Sequence, residues 1–467
     1  MFRPYTGLVS KLLFPLHERL KRHDTVRIRR FLEASQWWTS QQLRELQLTR
    51  LRSLLTHVDR HVPYYRELFR EHGVRVEKIT SVEDISRIPY LTKPLIRANA
   101  EALKSEVAGG LMRFNTGGSS GEPLIFFLGR ERVSHDVAEK WRATRWWGVD
   151  IGDPEIVVWG SPIELGTQDR LRSIRDKLLR SELLPAFEMS EARLDWFIER
   201  IQERRPRMLF GYPSALAHIA RHAEKRGADM AGIGVRVAFV TSERLYDDQR
   251  ERISRVFGCP VANGYGGRDA GFIAHECPAG SMHIGAEDII VEIVDADGRP
   301  LPAGHAGEIV VTHLATRDFP FIRYRTGDIA TLGISSCACG RTLPVLQEIQ
   351  GRTTDFVVAQ DGTVMHGLSL IYVLRDLAGI SSFKIVQESV DLTRVMIVAD
   401  SRFDELTAGR VTDAMKQRLG PSVEIRIERV DEIPAERSGK FRHVVSHVVQ
   451  PGTAAPDGAS HTVRGVQ

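Results

Sequence analysis

From Thr39 onward, apolar residues fall at Leu43, Leu46, Leu51, Leu54, Leu55 and Val58. That spacing is close to the 3.6-residue repeat that gathers side chains on one side of a helix. Thr39 or Ser40 supplies a hydroxyl just ahead of the run, so a packing helix is predicted to start there with an N-cap. Between residues 106 and 330 the pattern changes. Short apolar runs, EIVVWG, RMLFGYP, VRVAFVTSE and PVANGYGG, alternate with helical stretches such as SALAHIARHAEKRG and YDDQRERISRVFG. Such alternation predicts α/β architecture with substantial parallel sheet, in which ligands sit outside the carboxyl ends of the strands. From 282 to 330 strands and turns take over, and IIVEIVDADGRPLPAGHAGEIVVTHL reads as a β-hairpin with a Gly/Pro-rich connection inside a compact β subdomain. After GRTTDF, the runs SFKIVQ, RVMIVAD and SVEIRIERV with the helical FDELTAGRVTDAMKQRLG predict a small α+β domain over 356–450. The helical residues 1–105 belong to the large domain, 106–350 form its core, and the Gly/Ala/Ser/Thr-rich tail, 451–467, is expected to be disordered. No internal repeat is present.

The 467-residue length exceeds one hydrophobic core, so two or three domains are expected. With 42% hydrophobic and 27% charged residues, the chain is of ordinary globular type. Lys plus Arg total 64 against 60 acids, which leaves no large footprint for nucleic acid. The basic stretch ERLKRHDTVRIRRF invites a membrane-surface reading, against which stands a solvated helix face, the commoner origin of such a run. No run reaches the about 18 apolar residues of a transmembrane segment, and LVSKLLFPL breaks off too soon for a secretory signal. A soluble, cytoplasmic protein is expected. Oligomeric state is left open, with the helical first hundred residues able to cover a neighbour in a homodimer.

The segment FNTGGSSGEPLIFF sets a flexible polar turn directly ahead of a strand. Successive amides of a Gly/Ser/Thr turn form a nest that cups phosphate oxygens, and the hydroxyls of Thr116, Ser119 and Ser120 add donors. A Walker A loop needs a Lys-Ser/Thr step into a helix. TGGSSGEP has neither, which argues against that class of kinase or ATPase. A plain flexible hairpin is the alternative for the segment taken alone.

Further strings follow in order: NGYGGRDAG at 263–271, YRTGD at 324–328, GRTTDF at 351–356 and ERSGKFRHV at 436–444. With TGGSSGEP they resemble the successive motifs of the adenylate-forming superfamily of acyl-CoA ligases, luciferases and peptide-synthetase adenylation domains. HVPYYRELF, FGYPSAL, FVTSERL and CACGRTLPVLQEIQGR resemble, more narrowly, its phenylacetate-CoA ligase branch with the capsule-biosynthesis relatives. The resemblance implies that a carboxylate attacks the α-phosphate of ATP, that pyrophosphate leaves, and that the acyl-AMP passes its acyl group to coenzyme A, with an aryl or arylacetic acid as substrate. It implies that Thr116, Gly117, Gly118, Ser119, Ser120 and Gly121 hold the β- and γ-phosphates. Asp328 would accept the ribose hydroxyls, and Arg352 would reach phosphate or ribose. Thr241, Ser242 and Glu243 would border the adenine pocket, with Tyr265 and Gly266 against the base. Lys440 would bridge the incoming carboxylate and the α-phosphate, and a hinge at 351–355, with Thr354 at its pivot, would make the small domain mobile.

Two positions depart from that pattern. Asp269 stands where a glutamate is usual, one methylene shorter, and is expected to hold Mg²⁺ directly or through water. Thr354 replaces the usual hinge aspartate, and rotation there needs soft dihedrals and no charge. Cys277 and His283 lie six residues apart, upstream of the Cys337-Ala-Cys339 pair. Three thiolates and an imidazole suit a closed, tetrahedral structural Zn²⁺ site, with His275 as substitute ligand, and similar residues occur in the resembled branch. Cys259 reads as a small core residue. Two alternatives stay open: adenylation followed by transfer to an amine or hydroxyl acceptor, as in surface-polysaccharide assembly, and a nucleotide-binding scaffold without catalysis.

Overall fold

The helix expected after Thr39 runs Ser40–His61, and Thr39 closes it with a capping box: its hydroxyl accepts the Gln42 amide while the Gln42 side chain accepts the Thr39 amide. Leu43, Leu51, Leu54, Leu55 and Val58 are buried and Leu46 is half-buried, as the periodicity requires. The computed structural model describes residues 4–115, 124–159, 170–186, 189–352, 356–375, 377–434 and 442–448. The phosphate-loop residues 116–121, Thr354, Lys440 and the tail therefore lie outside the described residues.

Two strands, β1 (Met112–Asn115) and β2 (Ile125–Leu128), pair antiparallel with Asn115 opposite Ile125, so the glycine-rich segment of the sequence does lead into a strand. The principal sheet has eleven strands. In chain order they are β3 (Glu155–Trp159), β4 (Ser181–Pro185), β5 (Met208–Gly211), β6 (Val237–Thr241), β7 (Val261–Gly267), β8 (Gly271–Glu276), β9 (Met282–Ile284), β10 (Ile289–Val294), β11 (Ala306–His313), β12 (Tyr324–Leu332) and β13 (Val345–Arg352). Across the sheet the order is β10-β11-β12-β13-β9-β8-β7-β6-β5-β3-β4. From β4 to β7 neighbours are parallel; from β7 to β9 and from β10 to β12 they are antiparallel. The β subdomain expected over 282–330 is thus the antiparallel half of one continuous sheet and no separate layer, because β8 turns back on β7 and passes the ladder onward.

In the parallel half, alternate residues face opposite ways, as a strand demands. Ile156, Val158, Leu209, Ala238 and Val240 share a core with the helices Glu191–Arg204, Pro213–Arg226 and Asp247–Phe257. Met208, Phe210, Val237 and Phe239 pack with Ala143 of the helix Arg130–Trp146. Both faces are covered, so these strands read as continuous apolar runs.

The chain divides into two compact units. Among the described residues the first ends at Gly351, with Asp295–Arg299 assigned to the second. The second is built on a four-stranded sheet, Glu424–Arg429, Leu392–Ala399, Ile380–Ser389 and Val444–Ser446 in spatial order, with the hairpin Phe356–Val358/Val364–His366. Buried Gln387 ties hairpin to sheet: its amide donates to the Val358 carbonyl at 2.7 Å, and its Oε1 accepts the Val358 amide and the Ser446 hydroxyl at 3.0 and 2.8 Å. The helix Glu405–Leu419 is capped by Asp404, which accepts the Thr407 amide at 2.8 Å.

Candidate active site and cysteine cluster

Parallel strands deliver their carboxyl ends to one edge of the sheet, and β3, β5, β6 and β7 all end there. Thr241, the last residue of β6, is buried and pairs with Gly264, so β7 runs on beyond it to carry Tyr265 and Gly266. Ser242 leaves β6 with φ +72°, a conformation non-glycine residues rarely hold. Glu243 accepts the Ser214 amide at 3.2 Å, at the start of the helix Pro213–Arg226, where unpaired amides and the helix dipole favour a carboxylate.

Two tyrosine–carboxylate pairs join β7 and its turn to β12. The Tyr265 hydroxyl donates to Asp328 Oδ2 at 2.8 Å, and the Tyr324 hydroxyl donates to Asp269 Oδ2 at 2.6 Å. Each segment thus offers one hydroxyl and one carboxylate, four residues apart, and receives the complement from the other. Asp269 Oδ1 also accepts the Ala270 amide at 3.1 Å. Both carboxylates are half-buried, and an ionised carboxylate can accept several hydrogen bonds. The hairpin turn that carries Asp269 needs its glycines: a Cβ on Gly266 would fall 2.2 Å from the Gly271 carbonyl oxygen, and one on Gly271 would fall 2.8 Å from both an Arg132 nitrogen and the His313 ring.

Arg132 reaches this turn from beneath. Its guanidinium donates to the Asp269 carbonyl at 3.4 Å and to Asp136 at 2.9 Å, and His313 Nε2 lies 3.5 Å from the other Asp136 oxygen. His313 Nδ1 accepts the Ala315 amide at 3.2 Å, so its single proton sits on Nε2. Burial, and then the Arg132 charge, push this imidazole down to about 4, which keeps it neutral. Further along the same helix, Arg142 donates to Glu139 at 2.5 Å and to Glu287 at 2.7 Å, all three buried. Sequence reading passed over Arg132, Asp136, His313 and Tyr324; only Tyr324 carried a signal, as the first residue of YRTGD.

The cysteine cluster lies elsewhere in the same unit. Cys277, His283, Cys337 and Cys339 present one ligand atom each, all within 4.8 Å of one another. Cys277 Sγ is 3.6 Å from Cys337 Sγ, and His283 Nε2 is 3.2 Å from Cys339 Sγ. The glycines Gly280 and Gly340, both at positive φ, close tight turns whose amides donate to the Cys277 and Cys337 carbonyls. His283 Nδ1 donates to the Leu343 carbonyl at 3.1 Å, leaving Nε2 for the cluster, and burial holds the ring below its ordinary pKa, hence neutral. His275 does not join them; it is fully buried beside Glu139, 3.6 Å away, between Phe239 and Phe272. Cys259 is a buried core residue, with its thiol pushed up to about 12 by burial.

Residues 184–315 match the family model of AMP-binding enzymes, and residues 357–447 match the CapK C-terminal domain. Protein CapK of Staphylococcus aureus is 24% identical over 93% of this chain and 94% of its own length. The phenylacetate-coenzyme A ligase of Thermus thermophilus is 25% identical over 87% of this chain and 96% of its own. These matches make the chain similar to the adenylate-forming superfamily and, within it, to the branch of CapK and the phenylacetate-coenzyme A ligases. The superfamily fold is matched as well: a 2-hydroxyisobutyryl-CoA ligase, solved in complex with its acyl-AMP, superposes with TM-score 0.72 at 20% identity, over 88% of this chain and 91% of that one. The structure brings Tyr265, Asp269 and Asp328 together. It describes only the backbone of Arg352.

Proposed function

We propose that the chain is an ATP-dependent ligase that adenylates a carboxylic acid, of aryl or arylacetic type, and passes the acyl group to coenzyme A. In the first step a carboxylate oxygen bonds to the α-phosphorus as the bond to pyrophosphate breaks. In the second the thiol sulfur bonds to the acyl carbon, loses its proton and releases AMP. The observation that carries this reading is the reciprocal tyrosine–carboxylate arrangement at the sheet edge. It holds two carboxylates at this edge, and an ionised carboxylate accepts several hydrogen bonds; Asp328 would take the ribose hydroxyls and Asp269 a hydrated Mg²⁺. Tyr265 and Gly266 would lie along the base, with Thr241, Ser242 and Glu243 at the pocket border. Thr116–Gly121 would cup the outer phosphates, Arg352 would reach phosphate or ribose, and Lys440 would join the two reacting anions. Support for an aryl acid comes from Trp159, which ends β3 and stacks on Tyr212 at 4.3 Å between ring centroids. A hydroxamate-trapping panel of carboxylic acids with ATP tests the reading: an aryl acid is expected to give product and, with coenzyme A, a thioester. Background turnover with every acid sinks it, and adenylate that only an amine or hydroxyl consumes moves the acceptor.

Zinc at Cys277, His283, Cys337 and Cys339 is part of the same proposal. Three sulfurs and one nitrogen within 4.8 Å fit a closed tetrahedral site, which would serve structure and not turnover. Protein purified without a polyhistidine tag is expected to carry about one zinc per chain, and a chelator is expected to lower its melting temperature. A zinc content near zero ends this part. The cytoplasmic location expected above suits four cysteines that are all unpaired.

A further inference from the structure

The first helical stretch presents apolar and basic side chains outward in parallel rows. Pro4–Leu8, a π-helical turn at Val9–Leu13 and Phe14–Leu20 form one rod, since the junction residues Leu8 and Leu13 both hold helical dihedrals. Its inner side is fixed. Thr6 donates to Asp153 at 2.9 Å, Val9 and Phe14 are buried against Ile151, and Glu18 is buried beneath Thr25. Gly152 lets the rod approach, for a Cβ there would fall 2.5 Å from the Val9 Cβ.

With that side anchored, the outer one has no freedom to turn inward. Leu8, Leu12, Leu16 and Leu20 recur every fourth residue and are 45, 58, 52 and 77% exposed. Residues at i and i+4 share a helix face, so the four make one row. Tyr5 extends it: its hydroxyl donates to the carbonyl of Leu178, itself exposed, and the Arg180 guanidinium lies 5.2 Å over its ring. Beside the leucines run exposed Lys11 and Arg19, followed by Lys21 and Arg22. Single exposed leucines are ordinary, but an apolar row flanked by basic side chains along a whole rod is not.

Charge selects the occupant. The first thirty residues hold eight Lys or Arg against two acids, while the whole chain has an excess of only four. The surplus thus falls at this end of the chain, where Lys11, Arg19, Lys21, Arg22 and Arg30 are exposed on or just after the rod, while Arg29 is buried. A protein interface is depleted of lysine at its core, whereas the surface of an anionic bilayer takes leucines into the acyl boundary and lysines or arginines among the headgroups. We propose that the outward face of Pro4–Leu20 docks this protein on an anionic phospholipid surface. Among the described residues no helix is long and apolar enough to cross a membrane. The rod would lie in the interface, parallel to it.

Flotation of the full chain with phosphatidylcholine vesicles, with and without phosphatidylglycerol, tests this. The wild type is expected to float with the anionic vesicles, weakly with the neutral ones, and to be released by salt. Leu12→Glu/Leu16→Glu and, separately, Lys11→Glu/Arg19→Glu are each expected to weaken flotation about tenfold or more. None of the four side chains is packed, so both variants should melt as the wild type does; if the leucine pair unfolds, the charge pair carries the test alone. Absence of flotation at low salt overturns the proposal, as does flotation that neither variant changes. Self-association without vesicle binding, abolished by the leucine pair, also overturns it and makes the face a contact between copies.

Discussion

Asp328 and Tyr265 stand 63 positions apart in sequence and 2.8 Å apart in space. A phenol that donates to a carboxylate fixes its rotamer, so on the proposed reading Tyr265 would act on nucleotide binding partly through Asp328. A hydrogen bond to a charged group contributes about 1.5–3 kcal/mol. Tyr265→Phe is therefore expected to lower kcat/KM for ATP about 10- to 100-fold, and Asp328→Ala at least as much, mainly through KM. Pyrophosphate exchange measured against ATP concentration checks this; an unchanged KM in Tyr265→Phe would separate the pair from the nucleotide. Asp328 and Asp269 were legible in the sequence because each sits in a contiguous string, YRTGD or NGYGGRDAG. Their partners were not. Tyr324 meets Asp269 across 55 residues and Arg132 meets it across 137, and no local pattern encodes either contact. The cysteine cluster was legible for a different reason, since few residue types bind zinc and their turns are short.

The helix Arg130–Trp146 shows what periodicity alone misses. Its buried side chains include Arg132, His135, Glu139 and Arg142, with Asp136 half-buried beside them, a helical spacing written in ionisable residues. Hydrophobic reading finds strands such as VRVAFVTSE readily because their burial is apolar on both faces; this face is invisible to it. Such pairs add little net stability while intact, yet breaking one leaves an uncompensated buried charge. His313 gives this element a pH signature. Its folded pKa, about 4, lies below the ordinary 6.5, so the unfolded chain binds the additional proton between those values. Stability from this group is complete above about pH 6.5 and is lost as the pH falls through about 4, a contribution of roughly 3 kcal/mol at most. Melting temperature is expected to fall over that interval, and His313→Gln, which keeps a donor toward Asp136, is expected to flatten the slope. An equally steep slope in the variant would move the effect to the buried carboxylates. His135 has the opposite sign: although burial opposes it, Asp288 raises its pKa, so its stabilisation fades as pH rises through the raised value.

At the scale of the whole molecule, the balance of charge decides what the proposed reaction needs. The two reciprocal pairs at the sheet edge consist of two carboxylates and two phenols. They suit ribose hydroxyls and a hydrated cation, but they do nothing to let an acid anion approach a triphosphate. That approach needs a positive side chain, and on the proposed reading Lys440, in the SGK of ERSGKFRHV, would supply it. In the first half-reaction two anions must meet at the α-phosphorus; in the second a thiol attacks the acyl carbon, and the new charge develops on the leaving AMP as the acyl C–O bond breaks. An ammonium that acts by electrostatics should therefore matter in one step and be dispensable in the other. Lys440→Ala is expected to lower ATP–pyrophosphate exchange at least about 100-fold, while acyl-AMP supplied ready-made is still consumed by coenzyme A at close to the wild-type rate. Equal loss in both assays would assign Lys440 to folding or to acceptor binding. Loss in neither would leave neutralisation to the metal at Asp269 and to the phosphate loop.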